Sequence, residues 1–395
     1  MSVFERFGIK PIVNAAGTKT RLGGVRLHPD VIAAMAEAAS ASVDMAALQA
    51  AASREIARIT GAEAGYVTSG AAACLTLSAA AAMTGTNPAA IDRLPETAGL
   101  RERIVIFRSH RNSYDHAWRA AGATLVEVGL DDQRAGSGVR TLDPWELEAA
   151  IDDATAAVAY VATRRDDPPL ELVADIAHAR GVPVLVDAAA QLPPVENLRR
   201  FVEHGADLVA FSGGKAIGGP QGSGLLCGRR DLVEAVALNH LDLDVHRDLW
   251  APPPDLIRVD ALPGFPRHGI GRGFKVGPEQ VIGLLVALRR FVEAPQGPVD
   301  DECEAFARSL VALIDTVEGL QASEVRTAGA LRVEIRLPTP GHAADLVRVL
   351  ERGDPPIAID PFDLGGGLVA VDPTGLDAAE GELVVARIAQ ALHDL

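Results

Sequence analysis

Residues 208–224 read LVAFSGGKAIGGPQGSG, and this stretch decides the fold. It begins with four apolar residues, Leu208–Phe211, and continues into a glycine-rich turn that contains Lys215. An apolar run without polar alternation is typical of a strand that is buried on both faces of a mostly parallel sheet. In such sheets, ligands bind beyond the carboxyl ends of the strands. The stretch therefore predicts an α/β fold with a ligand site at Lys215.

Six further apolar runs surround this strand along the chain. They are residues 64–68, 104–107, 124–128, 157–162, 183–187 and 224–227. Helical patterns such as residues 170–180 lie between them, so the centre of the chain predicts an α/β fold with a seven-stranded, mostly parallel sheet. Shorter patterns after residue 331 predict a smaller C-terminal α/β domain. We expect an N-terminal arm with helices at 1–57, a large domain at 58–255, and a linker helix with the small domain at 256–395.

The composition excludes several classes of protein. The 395 residues carry a formal net charge of −16, which argues against a nucleic-acid partner because such partners require a basic surface. No apolar run reaches the length of a membrane span, and the N-terminus shows no secretory signal. The three cysteines are far apart, as expected in a reducing compartment. We therefore expect a cytoplasmic protein whose partner is a small molecule.

Lysine is scarce, since the chain contains only four, at positions 10, 19, 215 and 275. Lys215 differs from the others because it follows a buried strand, where partial desolvation would favour the neutral amine that attacks carbonyl groups. Asp187 ends the apolar run PVLVD, and small residues that include Ala189 leave room beside it for a flat ring. A carboxylate at this place favours the protonated form of a pyridine nitrogen. We predict that Lys215 and Asp187 are catalytic and bind one cofactor.

The segment YVTSGAAACLTLSAAAAMTG (66–85) predicts a phosphate site. A strand ends at Thr68, and a helix begins after a serine and a glycine. Helix N-termini bind phosphate because their first N–H groups have no partner within the helix. The predicted contacts are Ser69, Gly70, Ala71, Ala72 and, next to Lys215, Ser212. A phosphate site, a carboxylate and a lysine in this order are typical of pyridoxal 5′-phosphate enzymes with the aminotransferase-like fold.

Long stretches of the chain resemble one group of these enzymes. The matching segments include FGIKPIVNAAGTKTRLGG (7–24), SHRNSYDHA (109–117), VPVLVDAAAQLPP (182–194) and IGRGFKVGPEQVIGLL (270–285). They are similar to the selenocysteine-synthase-like group of fold-type-I enzymes, which includes the D-glucosaminate-6-phosphate ammonia-lyases. The resemblance implies that Lys215 forms a Schiff base with pyridoxal 5′-phosphate, that Asp187 pairs with the ring nitrogen and that His110 stacks on the ring. We therefore count His110 with Lys215 and Asp187 among the predicted catalytic residues. It also implies a homodimer or a larger homo-oligomer.

The same resemblance points to further residues and to an activity. It implies that Gly277 contacts the cofactor and that Arg21, Arg272 and Lys275 contact the substrate. The implied activity is that of a lyase, which releases ammonia from a small polar amino acid by β-elimination. An aminotransferase, a racemase or an aldolase would use the same lysine and carboxylate. A selenocysteine-synthase-type transferase and a non-catalytic regulator are further alternatives, although the acidic chain argues against a tRNA substrate.

A run of alternating histidine and aspartate, HLDLDVHRD (240–248), resembles a set of metal ligands. On a strand, its polar residues would share one face, and Leu241, Leu243 and Val245 would share the other. The pattern indicates the polar face of an amphipathic segment, because the run shows no known ligand spacing. We therefore predict no metal site.

Overall fold

The computed structural model describes residues 2–131, 139–140, 143–162, 168–293, 301–327 and 330–395. The chain divides into a larger unit, Leu27–Arg290, and a smaller unit formed by Met1–Arg26 with Phe291–Leu395. Each unit has a sheet and an apolar core of its own. None of the described helices is long and apolar enough to cross a membrane.

The described strands and helices are numbered in chain order. The strands are β1 (Val13–Ala15), β2 (Ala64–Thr68), β3 (Arg103–Phe107), β4 (Thr124–Val128), β5 (Leu130–Asp131), β6 (Val139–Arg140), β7 (Thr155–Val161), β8 (Val184–Asp187), β9 (Leu208–Ser212), β10 (Gly224–Gly228), β11 (Gln321–Thr327), β12 (Ala330–Arg336), β13 (Ile357–Asp363) and β14 (Leu368–Val371). The helices are α1 (Pro29–Ala39), α2 (Met45–Thr60), α3 (Ala71–Thr84), α4 (Pro88–Arg93), α5 (Asp115–Ala120), α6 (Pro144–Ala150), α7 (Leu170–Ala179), α8 (Asn197–Glu203), α9 (Arg230–His240), α10 (Pro278–Glu293), α11 (Asp301–Ile314), α12 (Ala343–Glu351) and α13 (Ala378–Asp394).

A seven-stranded sheet forms the centre of the larger unit, with the strand order β2-β10-β9-β8-β7-β3-β4. β10 runs antiparallel to both of its neighbours, and the other neighbouring pairs are parallel. All seven apolar runs of the sequence lie in this sheet, with ends that differ from the predicted ones by no more than two residues. The predicted seven-stranded, mostly parallel sheet is therefore confirmed.

Small side chains allow α3 to lie within the core of the larger unit. The helix is rich in alanine, and its residues from Ala73 to Ala81 are buried on all sides. A helix that is apolar all round is expected to be buried in this way. α3 begins directly after β2, so its N-terminus lies at the edge where the parallel strands of the sheet end.

Helix α2 covers the outer edge of β2, which is the last strand on its side of the sheet. The buried Gln49 amide accepts a hydrogen bond from the Val67 N–H at 3.1 Å and donates one to the Val67 carbonyl at 2.8 Å. The Gly65 N–H donates to Ser53 Oγ at 3.0 Å. Side chains of α2 thus satisfy backbone groups that a further strand would otherwise pair.

The smaller unit is a five-stranded sheet with the order β1-β13-β14-β12-β11. β1 runs parallel to β13, and the remaining neighbouring pairs are antiparallel. Buried side chains from α11, α12 and α13 join the sheet residues in one apolar core. The predicted smaller α/β domain is thus confirmed, with an N-terminal strand in its sheet.

The compact units have boundaries near residues 26 and 290, whereas the predicted segments have boundaries near residues 57 and 255. The difference at the first boundary has two physical causes. β1 pairs with β13, so the N-terminal arm belongs with the C-terminal part of the chain. α2 packs directly on β2, so residues 27–57 belong with the larger sheet.

Candidate active site

The carboxyl ends of β7, β8 and β9 form the edge where Asp187 and Lys215 lie. Asp187 is the last residue of β8, and its neighbours in register are Val161 on β7 and Ala210 on β9. Lys215 follows the end of β9 by three residues, within the glycine-rich turn. The structure therefore brings the carboxylate and the lysine turn to the same edge of the sheet.

Burial changes the acidity of both groups. Asp187 is only 8% exposed, which raises the pKa of its carboxyl, while an N–H bond from Ala189 at 3.0 Å and the charge of Lys215 act in the opposite direction. Burial also lowers the pKa of the half-buried Lys215 amine, and the charge of Asp187 opposes this shift. Each group thus makes the charged form of the other less costly, as expected for opposite charges in a partly desolvated place.

One row of residues crosses three strands next to this edge. Gly224 on β10 stands in register with Ser212 on β9 and with Thr68 on β2. A Cβ atom at position 224 would lie 2.4 Å from the backbone carbon of Gly70 and 2.7 Å from Thr68 Oγ1. The absence of a side chain at Gly224 therefore lets the Gly70 backbone approach the sheet beside Ser212.

The N-terminus of α3 lies open at this place. Gly70 is the N-cap residue with a φ of 106°, and no side chain caps the helix. Ala71 is partly exposed, Ala72 is exposed, and a Cβ atom at Gly70 would meet no atom within 4 Å. The first N–H groups of the helix can therefore bind an anion.

Ser69 has a partner in the protein. Its hydroxyl donates a hydrogen bond of 2.7 Å to the carbonyl oxygen of Phe274, the last residue of a 3₁₀ helix at Ile270–Phe274. Since a serine hydroxyl carries one proton, this bond uses the donor that was predicted to reach a phosphate. The bond also holds residues 270–277, the IGRGFKVG segment, against the start of α3.

His110 follows β3 and is almost fully buried, with 3% of its surface exposed. The Val161 N–H donates to its Nδ1 at 3.2 Å, so the proton of the neutral ring lies on Nε2. Its ring also makes edge-to-face contacts with Phe107 and Tyr160, with centroid distances of 4.9 and 4.8 Å. Because Val161 is the register neighbour of Asp187, His110 is held one strand away from the carboxylate.

The predicted substrate residues occupy different surroundings. Arg21 lies in the smaller unit and forms an ion pair with Glu351 at 2.9 Å, whereas Arg272 pairs with Asp242 at 2.5 Å. Lys275 is exposed, and no ion pair joins it to a described carboxylate. The Gly277 N–H donates to the side-chain oxygen of Gln280 at 3.1 Å. Of these cationic groups, Lys275 is thus the most accessible to an anionic ligand.

The alternating run at 240–248 does not form a single polar face. His240 is the last residue of α9, and only 4% of its surface is exposed, because its ring packs on Tyr66. Asp242 and Asp244 are exposed beside His268, with possible ligand atoms within 4.8 Å of one another. The guanidinium of Arg272 already neutralises Asp242, so this exposed cluster does not indicate a metal site.

The arrangement fits pyridoxal 5′-phosphate. The open start of α3 can hold the phosphate, the buried carboxylate of Asp187 requires a cationic partner such as a pyridinium nitrogen, and Lys215 provides an amine of lowered pKa. A parallel sheet with these three groups at one edge defines a pyridoxal-phosphate-dependent enzyme of fold type I.

Comparison with known proteins agrees with this class. The family described as Aminotransferase class-V matches residues 84–241. A D-glucosaminate-6-phosphate ammonia lyase of Salmonella typhimurium is 29% identical, over 98% of this chain and 97% of the relative. A 5′-C-glycyluridine monooxygenase-decarboxylase of a Streptomyces species is 33% identical, over 99% of this chain and 92% of the relative. L-seryl-tRNA(Sec) selenium transferases also match.

A solved structure of a D-glucosaminate-6-phosphate ammonia-lyase superposes with a TM-score of 0.82 and 29% identity, covering 100% of this chain and 99% of the other. The chain therefore belongs to the selenocysteine-synthase-like and D-glucosaminate-6-phosphate-ammonia-lyase-like family of pyridoxal-phosphate enzymes. The resemblance seen in the sequence and the predicted cofactor are confirmed.

Several residues that shape the site are not apparent from the sequence. Gly224 looks like an ordinary strand residue until the register places it between Thr68 and Ser212. The alternating run that begins at His240 predicts a place on a polar face, whereas the structure buries this residue. The helical pattern of residues 230–240, in which His240 occupies the last turn beside apolar neighbours, is the signal that could have indicated its burial.

Proposed function

We propose that the chain is a pyridoxal-phosphate-dependent lyase that releases ammonia from a small polar amino acid with a hydroxyl group at Cβ. The observation that carries the proposal is the half-buried Lys215 amine near the buried Asp187 carboxylate, at the sheet edge that also holds the open start of α3. Similarity to an ammonia lyase along nearly the whole chain supports the choice of reaction. We further propose a homodimer or a larger homo-oligomer that acts in the cytoplasm.

Two residues would share the chemical work. Pyridoxal 5′-phosphate, when bound, supplies an electron sink for negative charge at the substrate Cα. Asp187 would hold the ring nitrogen in its protonated form. Lys215 would bind the cofactor and then take the Cα proton at Nζ, since burial favours the neutral amine. Lys215 would return this proton to the Cβ hydroxyl, which leaves as water, and addition of one water molecule then gives a 2-oxo acid and ammonia.

The residues that would hold the substrate are proposed from their accessibility. Lys275 is the accessible cation of the IGRGFKVG segment, and Ser69 fixes this segment at the start of α3. We propose Lys275 as the contact for a substrate carboxylate or phosphate, with Arg272 and Arg21 as further candidates. His110 would border the cofactor, and the phosphate would contact Gly70, Ala71, Ala72 and Ser212.

A substrate screen tests the reaction. Hydroxy-amino acids and amino-sugar acids are incubated with the purified enzyme, with and without a 2-oxo acid acceptor, and ammonia is measured. We expect ammonia and a 2-oxo acid without the acceptor. Release that depends on the acceptor would mean an aminotransferase, and loss of optical rotation without ammonia would mean a racemase. An aldehyde product together with a smaller amino acid would mean an aldolase.

A second candidate follows from the relative that is 33% identical and is named a monooxygenase-decarboxylase. This reaction class consumes O₂ and releases CO₂. The same screen is therefore run in an oxygen-electrode cell and repeated without oxygen. Ammonia release that persists without oxygen supports the lyase, whereas turnover that stops without oxygen supports the second candidate.

The attachment of the cofactor is tested independently of turnover. We expect the purified protein to absorb in the visible range and to retain the cofactor covalently after borohydride reduction. Lys215→Ala should lose the covalent attachment completely, because Lys215 is the lysine whose amine burial shifts toward the neutral form. Lys10→Ala is the matched control, since Lys10 is an exposed lysine that pairs with Asp354 in the smaller unit. Covalent cofactor in Lys215→Ala after reduction would refute the assignment.

A further inference from the structure

A short chain of buried and partly buried hydrogen bonds connects β2, the end of α9 and the IGRGFKVG segment. The hydroxyl of Tyr66 and Nδ1 of His240 are 2.9 Å apart, and Nε2 of His240 lies 3.1 Å from the Phe274 carbonyl oxygen. The same carbonyl accepts the Ser69 hydroxyl at 2.7 Å. Tyr66 and His240 are 0% and 4% exposed, so the bond between them is sheltered from water, while the two bonds to the Phe274 carbonyl are partly buried.

The donors and acceptors of this chain can be assigned. The Phe274 carbonyl has no proton to donate, so the His240 proton must lie on Nε2. Nδ1 is then an acceptor, and the Tyr66 hydroxyl donates to it. A carbonyl oxygen has two lone pairs, which here receive His240 and Ser69. Burial lowers the pKa of His240, the bond to the Phe274 carbonyl opposes this shift, and the charge of Arg272 adds to it, which agrees with a neutral ring.

Close backbone contacts fix the same segment on α9. A Cβ atom at Gly269 would lie 2.6 Å from the Cα of Asn239, and one at Gly271 would lie 2.6 Å from the Asn239 carbonyl oxygen. The segment thus touches the end of α9 through its backbone just before Phe274. His240 is the side chain at this end that reaches forward to the Phe274 carbonyl.

We propose that His240 is a positioning residue for the phosphate of the cofactor. It holds the Phe274 carbonyl so that Ser69 is fixed in direction and the Gly70 end of α3 stays open beside the segment that carries Lys275. The proposal rests on the proposed phosphate site, and it adds a buried histidine that does not itself touch the cofactor.

The test compares two probes, pyridoxal 5′-phosphate and pyridoxal, which lacks the phosphate. Dissociation constants for the cofactor-free protein are measured from the visible absorbance of each bound probe. In His240→Leu, we expect the dissociation constant of pyridoxal 5′-phosphate to rise about tenfold or more, which is the effect of losing one well-placed hydrogen bond. Binding of pyridoxal should change by less than about twofold. A general loss of structure would weaken both probes equally and would contradict the proposal.

Two polar variants separate the contacts of His240. The amide nitrogen of Gln can reach the position of Nε2 and donate to Phe274, whereas the shorter Asn side chain reaches only the position of Nδ1. We therefore expect His240→Gln to restore the preference for pyridoxal 5′-phosphate and His240→Asn not to restore it. Equal behaviour of the two variants would overturn the proposal. The control His178→Gln changes a histidine that pairs with Asp207 and should leave the preference unchanged.

The wild-type protein separates the proposed phosphate site from the proposed role of His240. If it binds both probes equally well, the proposed phosphate site is wrong. If it prefers pyridoxal 5′-phosphate and His240→Leu keeps this preference, the phosphate site stands and only the role of His240 is wrong.

Discussion

Asp187 is a carboxylate that the fold keeps in surroundings unfavourable to its charge. Burial at the end of β8 raises the pKa of its carboxyl, and one backbone N–H and the charge of Lys215 offset only part of this effect. An ionised carboxylate in such a place destabilises the cofactor-free protein. We interpret the residue as one whose charge is stabilised when a cationic ring nitrogen binds beside it.

Asp187→Asn should therefore stabilise the cofactor-free protein while it impairs the enzyme. The pKa of the Asp187 carboxyl is raised in the folded state. The wild type therefore has its full stability below the unfolded-state pKa, about 4, and loses part of it as the pH rises through the folded-state pKa. We expect the Tm of the variant to exceed that of the wild type by roughly 2–4 °C at pH 7, with no difference below about pH 4. Turnover should fall about 10²-fold or more.

Calorimetry of the cofactor-free proteins and steady-state kinetics check this expectation. Asp175→Asn is the matched control, because Asp175 is an exposed aspartate of α7 in the same unit. A variant with wild-type turnover would show that the carboxylate has no part in the reaction.

At the scale of the elements, the site depends on strand register as much as on side chains. Thr68, Gly224 and Ser212 form one row across β2, β10 and β9. The row brings the Gly70 backbone to the side of the sheet where Ser212 and the Lys215 turn lie. β10 contributes no functional side chain, yet it thus determines how closely the start of α3 approaches the sheet.

Gly224→Ala tests this arrangement. The new methyl group would lie 2.4 Å from the Gly70 carbon, so backbone must move, at a cost of about 1–3 kcal/mol. We expect a lower Tm and weaker binding of pyridoxal 5′-phosphate, measured by thermal denaturation and absorbance titration. Gly264→Ala should change neither quantity, since a Cβ atom there meets nothing within 4 Å. Unchanged cofactor binding in Gly224→Ala would show that the row does not set the site.

The elements also show which features a sequence can predict. Buried strands such as β8 and β9 were predictable because their apolar runs are continuous, and Lys215 was predictable because it directly follows one of them. β1 and β13 were not predicted, because a three-residue strand and a strand that follows two prolines and contains a third have weak patterns. Gly224 and His240 depend on contacts between distant parts of the chain, which local patterns do not contain.

At the scale of the whole molecule, the charge limits which partners can bind. The net charge of −16 repels polyanions, and lysine contributes little positive surface. Lys10 and Lys19 are paired with Asp354 and Asp360 in the smaller unit. The remaining exposed lysine, Lys275, is a single charge and is better suited to bind a small anion than a nucleic-acid backbone.

The charge therefore predicts that this chain does not bind tRNA, although some of its relatives are named L-seryl-tRNA(Sec) selenium transferases. We expect no mobility shift of bulk tRNA at micromolar protein and about 0.15 M salt. Neutralisation of backbone phosphates by basic side chains drives such binding, and an acidic chain neutralises few of them. A selenium transferase of the family is the positive control. A salt-sensitive complex with this chain would contradict the prediction.

The position of β2 at the edge of the sheet affects how the nascent chain folds during synthesis. Within the described part of the protein, β2 pairs with no strand but β10, which the ribosome makes long afterwards. Until Gly224 leaves the ribosome, the chain contains α2 and α3, but the Gly70 backbone lacks the β10 residue that it packs against. We therefore expect cofactor capture to be a late event of biosynthesis, so that nascent chains that stop before β10 should remain colourless.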